Sequence, residues 1–207
     1  LTETRPADGY ALADEITFRL LQKVDEDGSN LQEAEAYYLT KKSLLFWTWD
    51  DWKLLDDATV IMRDDTIKAE FSKKDLTTME ELPGAELTIT DKDGKEIDRC
   101  ATEGGMFQAI KPHYIEKLPA GDYTLTEVKA PDGYAFAESV PFTALPTGEV
   151  QQFEMLDDVI KVEISKKDLT TMEELPGAEL TLTDKGGTVV EHWTSTDKPH
   201  YIEKLPA

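Results

Sequence analysis

The chain has 207 residues, of which 43 are acidic and 22 basic, for a formal net charge of −21. This balance excludes nucleic acid, whose phosphates need a basic face, and opposes contact with an anionic membrane surface. The single cysteine, Cys100, rules out a disulfide framework, and no apolar run is long enough to span a bilayer.

In chain order, the first signal is an echo: LTETRPADGYA at 1–11 returns as LTEVKAPDGYA at 125–135. DDTIKAEFS at 64–72 returns as DDVIKVEIS at 157–165, and SKKDLTTMEELPGAELT at 72–88 recurs unchanged at 165–181. KPHYIEKLPA at 111–120 recurs at 198–207, six residues nearer its partner block because CATEGGMFQAIKPH is answered by the shorter WTSTDKPH. Such self-similarity marks an array, so function should reside in one unit and in how units are strung together. The echoes predict the back part of a domain over 1–66, a complete domain over 67–160 and the front part of a third over 161–207. They imply a window cut from a longer protein.

Within the first segment, the stretch from Tyr10 to Asp64 is 31 residues longer than its counterpart from Tyr134 to Asp157. The excess lies around 26–57 and includes LLFWTWDDWKLLDD at 44–57, with Trp47, Trp49 and Trp52. Clustered aromatics suit recognition of a host matrix protein or a glycan. The plainer and preferred reading is a longer hairpin or short helix that packs its rings on its own domain.

The middle unit reads as short strands at 67–73, 85–90, 95–99, 113–117, 122–128, 139–144 and 149–157. Turn signals such as Leu82-Pro83-Gly84, Asp93-Gly94 and Pro131-Asp132-Gly133 separate them, and no helical period appears. This spacing predicts an all-β, Ig-like sandwich. Cys100 is matched by Trp193 in the next copy and reads as a small apolar filler. His113, His192 and His200 have no second ligand at metal spacing, and the acid pairs Asp64-Asp65 and Asp157-Asp158 lack the loop of a calcium site. No cofactor or metal is expected.

Strand parity singles out three ionisable residues. Alternate residues share a face, so Ile67, Ala69 and Phe71 lead to Lys73; Tyr123 and Leu125 lead to Glu127; Phe153 and Met155 lead to Asp157. The partial units repeat the pattern: Leu1 leads to Glu3, Val60 and Met62 lead to Asp64, and Ile160, Val162 and Ile164 lead to Lys166. Each charge alone could lie past its strand end and reach water. Together they look like a buried lysine between two carboxyls. Burial disfavours charged amines and carboxylates alike, leaving the neutral reactants of amide formation. Holding such partners together can supply about 7–11 kcal/mol.

FSKKD (71–75), ELPGAEL (81–87) and YTLTEVKAPDGY (123–134) resemble the Cna B-type, or SpaA-like prealbumin-fold, repeat domains of Gram-positive surface proteins and pilins. The last string is similar to the family's E-box, Tyr-x-Leu-x-Glu followed by Ala-Pro-x-Gly-Tyr. The resemblance implies an intramolecular isopeptide bond formed without a helper enzyme. Lys73 would be the nucleophile, Asp157 the acceptor, and Glu127 the residue that shuttles protons and polarises the acceptor carbonyl; an Asp acceptor makes water the leaving group. Lys74 and Asp158 have outward parity and are not expected to take part. Glu3, Asp64 and Lys166 are the corresponding positions of the incomplete units. The expected role is a structural stalk or shaft of an extracellular, cell-wall-anchored adhesin or pilin, whose partners are neighbouring repeats of the same chain. It is not an enzyme beyond one self-directed turnover. The alternative is a module that binds host protein or glycan through Trp47, Trp49 and Trp52.

Overall fold

The structure, a computed structural model, describes residues 1–44, 47–55, 59–104 and 110–205. The side chains of Gln32, Ser43, Leu44 and Trp47 lie outside the description. Fourteen strands and no helix occur among the described residues. They are β1 (Phe18–Val24), β2 (Asn30–Leu44), β3 (Trp47–Leu54), β4 (Lys68–Asp75), β5 (Glu86–Asp91), β6 (Glu96–Ala101) and β7 (His113–Glu116). These are followed by β8 (Gly121–Lys129), β9 (Val140–Ala144), β10 (Val150–Asp157), β11 (Lys161–Ile164), β12 (Glu179–Thr183), β13 (Val189–Thr194) and β14 (His200–Glu203). The seven strands expected between 67 and 157 are all present, with ends within two residues. The fold is all-β throughout, as the turn spacing implied.

Two compact units divide the chain. The first contains Leu1–Glu70, Tyr114–Tyr123 and Phe142–Gln152; the second contains Phe71–His113, Thr124–Pro141 and Phe153–Ala207. The division cuts through strands of the middle repeat, and each unit contains one complete passage from a repeat to its successor.

In the first unit, β1, β2 and β3 form an antiparallel sheet in that order. The long insertion is therefore a hairpin, with Lys41 opposite Asp50 and Lys42 opposite Trp49. Trp49 is 47% exposed, whereas Trp52 is half-buried beneath the Arg19 guanidinium, 4.4 Å from the ring centroid. Elsewhere in this unit Tyr123 stacks on Phe142 at 5.5 Å, and its hydroxyl donates to the Pro119 carbonyl at 2.8 Å. That bond fixes the turn leading into β8, much as a tyrosine corner fixes turns in other β-sandwiches.

The middle repeat contributes two sheets, of order β10-β4-β7 and β6-β5-β8-β9. In the second unit their inward stripes include Phe71, Leu87, Ile89, Leu125 and Met155, each no more than 2% exposed. Phe71 stacks on Phe153 at 5.4 Å. The same unit holds the pairs β11-β14 and β12-β13. Their register copies the middle repeat: Leu87 faces Cys100 in one and Leu180 faces Trp193 in the other. Burial pushes the Cys100 thiol up to about 11, so it packs as an apolar group and not as a thiolate.

Leu125, with no exposed surface, should be intolerant of truncation. Leu125→Ala should cost roughly 2–5 kcal/mol in chemical denaturation, because a cavity adds to the lost burial. Val128→Ala, at an exposed position of the same strand, should stay within about 0.5 kcal/mol.

Candidate functional site

Lys73, Glu127 and Asp157 meet in the interior of the second unit. Lys73 stands on β4, the middle strand of its three-stranded sheet; Asp157 ends the neighbouring strand β10; Glu127 comes from β8 of the other sheet. The apolar stripes drive this convergence. Ile67, Ala69 and Phe71 must face inward, so period-two alternation carries Lys73 in with them. Leu125 and Met155 do the same for Glu127 and Asp157. All three side chains have no more than 1% exposed surface at the reacting ends: the ion-paired side chains of Lys73, Glu127 and, on the whole residue, Asp157 are closed to water.

The ammonium of Lys73 donates to Asp157 Oδ1 and lies 2.9 Å from Glu127 Oε1. That second contact is an ion pair outside hydrogen-bond geometry, since Glu127 Oε1 has no hydrogen-bond partner; neither has Asp157 Oδ2. Glu127 is aimed by its other oxygen, which accepts the Ala137 N–H at 2.8 Å. Lys73 is aimed by its backbone: its N–H donates to Glu81 Oε2 at 3.3 Å, and its carbonyl accepts the Leu82 N–H at 2.7 Å.

Two carboxyls and one amine in a dry space would leave a net negative charge if all were ionised, at a cost of several kcal/mol. One proton on a carboxyl removes that charge. Desolvation raises the Asp157 carboxyl to about 6, opposed by the Lys73 ammonium and reinforced by Glu127. The site can therefore hold an amine against a protonated carboxyl, with a second carboxyl beside both to move protons. Among the described residues, no group of histidines, cysteines and acids could hold a metal ion.

The outward neighbours behave as parity requires. Lys74 pairs with Glu154 at the surface, and Asp158 is exposed and accepts the Lys161 ammonium at 2.8 Å. The equivalents in the partial units are not brought together. Glu3 is half-buried and accepts the Ala13 N–H at 2.9 Å, the counterpart of the Glu127–Ala137 bond. Asp64 is exposed, and Lys166 is half-buried with its carbonyl bonded to the Leu175 N–H at 2.7 Å. Trp49 and Trp52 lie on the β2–β3 hairpin; the Trp47 side chain is outside the described residues.

Residues 67–158 match the SpaA family, described as a prealbumin-like fold domain. This segment resembles SpaA-type prealbumin-like domains. Among solved structures, the TIE protein of Bacillus anthracis is 21% identical, covering 95% of this chain and 40% of its own, with a TM-score of 0.48. The shaft pilin SpaA of Lactobacillus rhamnosus GG is 22% identical over 67% of this chain and 69% of its own, TM-score 0.35. A variant of BcpA, the major pilin subunit of Bacillus cereus, is 23% identical over 55% of this chain and 34% of its own, TM-score 0.39. The chain thus spans well under half the length of the TIE protein and of BcpA. Comparison with curated proteins gives no match.

Sequence reasoning missed the residues that orient the SpaA-type site. Glu81 and Ala137 act through backbone bonds that no spacing rule reveals. Asp75 was also overlooked, although it belongs to the quoted FSKKD string. It accepts the Thr77 and Thr78 N–H groups and the Tyr134 hydroxyl, the last at 2.7 Å, and these bonds hold its carboxyl down to about 2.

Lys73→Met removes the hydrogen bond and charge that lower Asp157, so its carboxyl should titrate above about 6 by carbon-detected NMR. The sign for stability follows. A carboxyl raised in the folded state binds protons that the unfolded chain has released, so stability of this variant should fall as pH rises from about 4 through 6. Asp75 works the opposite way, contributing stability that is lost only as pH falls from about 4 toward 2. A urea midpoint that is no lower at pH 7 than at pH 4.5 would contradict the assignment.

Proposed function

We propose that the chain is a run of consecutive stalk repeats, divided at 1–66, 67–160 and 161–207, and that the middle repeat closes itself with an isopeptide bond. The observation that carries this reading is the dry convergence of Lys73, Glu127 and Asp157 on three strands. In the reaction the Lys73 ammonium first passes one proton to the Asp157 carboxylate, and the resulting amine attacks Cγ of the protonated acid. Glu127 takes a proton from the nitrogen and returns it to the departing hydroxyl. One C–N bond forms, one C–O bond breaks, and one water leaves. Each domain turns over once, and nothing else is transformed.

The position of the bond accounts for its use. It would close nearly the whole repeat, which in the chain-entropy model is worth about 4–5 kcal/mol in the unfolded state. It would also join the first strand of the repeat to the last. Pulling force entering at Ile67 would leave at Asp157 through covalent bonds, without shearing the sheets. An amide also withstands reducing conditions. A tension-bearing stalk or shaft of a Gram-positive cell-surface adhesin or pilin, outside the cell and attached to its wall, is the role these properties suit.

The intact mass of the chain should be lower than the sequence mass by one water, while Lys73→Ala and Glu127→Ala should keep full mass. Peptide mapping should recover a branched peptide joining Lys73 to Asp157. Full mass in all three proteins would sink the isopeptide.

A second reading draws on the β2–β3 hairpin, where Trp49 is 47% exposed. An aromatic surface of this kind suits binding to a matrix protein or glycan. Binding on a glycan or matrix-protein array that Trp49→Ala and Trp52→Ala abolish would support it.

A further inference from the structure

The two passages between repeats are built alike. In the first, the Lys117 turn lies against Gly9 and Tyr10 of the repeat before it. A Cβ at Gly9 would meet the Lys117 carbonyl oxygen at 2.5 Å, and the Lys117 ammonium sits 5.3 Å from the Tyr10 ring centroid. In the second, a Cβ at Gly133 would meet the Lys204 carbonyl oxygen and Cβ at 2.9 Å, and the Lys204 ammonium sits 5.2 Å from the Tyr134 ring. Both glycines have left-handed backbone, with φ of +80° and +82°. So do both lysines, at 61° and 56°, a conformation that a non-glycine residue holds only where its surroundings enforce it.

The chain entering each new repeat is clipped to the same turn. The Ala11 N–H donates to the Asp65 carbonyl and the Ile67 N–H to the Gly9 carbonyl, at 2.8 and 2.9 Å. The Ala135 N–H donates to the Asp158 carbonyl and the Ile160 N–H to the Gly133 carbonyl, at 3.0 and 2.9 Å. Ion pairs Lys68–Asp65 and Lys161–Asp158, at 2.7 and 2.8 Å, brace the two crossings. At the second passage the Tyr134 hydroxyl is tied to Asp75, two residues beyond Lys73 on β4.

We infer that the Glu-Lys-Leu turn of each repeat is a docking element for the Asp-Gly-Tyr turn of the repeat before it, and that it locks successive repeats in one orientation. The glycine is required because the incoming backbone occupies the place of its side chain. The tyrosine supplies a fixed ring for the lysine, and the two clip bonds set the rotation. The partner is another repeat of the same kind that carries the same turn. This deepens the stalk reading by giving the array stiffness, yet the contact does not depend on amide formation.

Spin labels at Lys95→Cys and Lys185→Cys, in the full chain with Cys100→Ser, report on the second passage through pulsed electron resonance. The parent chain should give one narrow distance distribution. Gly133→Val should broaden it at least about twofold, since relative domain motion is the default once a rigid interface is lost. Unchanged circular dichroism would separate loss of docking from loss of fold. Lys204→Ala, at an exposed position, should broaden the distribution in the same direction, and it decides the matter if Gly133→Val does not fold. A distribution that is broad in the parent chain, or equally narrow in Lys204→Ala and a folded Gly133→Val, would overturn the lock. The intact mass of each protein reports on the amide separately.

Discussion

A lysine ammonium with no exposed surface is the constraint around which the middle repeat is organised. It cannot stay inside a sandwich unless acids from its surroundings meet it, and they must come from different strands to reach it on both sides. Asp157 of the neighbouring β10 and Glu127 of β8 in the other sheet meet that requirement, leaving two carboxyls beside one amine. At Asp157 desolvation by burial outweighs attraction to the lysine, and the Glu127 carboxyl adds to it. The geometry therefore costs stability in its ionised form, and a covalent amide would remove all the buried charge of the pair at once.

The repeats show how much of this architecture is local. The loop after each lysine is the same in both copies: Asp75 and Asp168 each receive two threonine N–H groups, and Met79 and Met172 each take left-handed backbone. Register also survives the six-residue shortening of the third copy. His113 meets Asp98 at 2.5 Å and His200 meets Glu191 at 2.8 Å, so the pairing on either side of the length difference is the same. Burial, by contrast, is not local. Lys73 is enclosed, with Asp157 of β10 and Glu127 of β8 against it, while Lys166, in the same SKKDLTT string, is half-buried.

The passage between repeats links this loop to the array. Asp75 serves three donors at once, and one of them is the tyrosine on which the next repeat's lysine rests. The end of the strand that carries Lys73 and the surface that receives the following repeat are thus parts of one hydrogen-bonded cluster. That places the contacts between repeats beside the Lys73 site.

The amino-acid sequence by itself determined the repeat, the all-β class, the strand positions of the middle unit and the identity of the three inward ionisable residues. It could do so because side chains alternate along a strand: once Ile67, Leu125 and Met155 must be inside, Lys73, Glu127 and Asp157 share their face. Tertiary structure alone decided that the three residues meet, since they are separated by 54 and 30 positions in the chain and belong to two sheets. It likewise decided that Glu127 is aimed by the Ala137 N–H, that the tryptophan segment is a hairpin, and that Gly133 and Tyr134 face Lys204. Those contacts join residues whose patterns are each locally complete. No periodicity within one strand or turn records which distant backbone will come to lie against it.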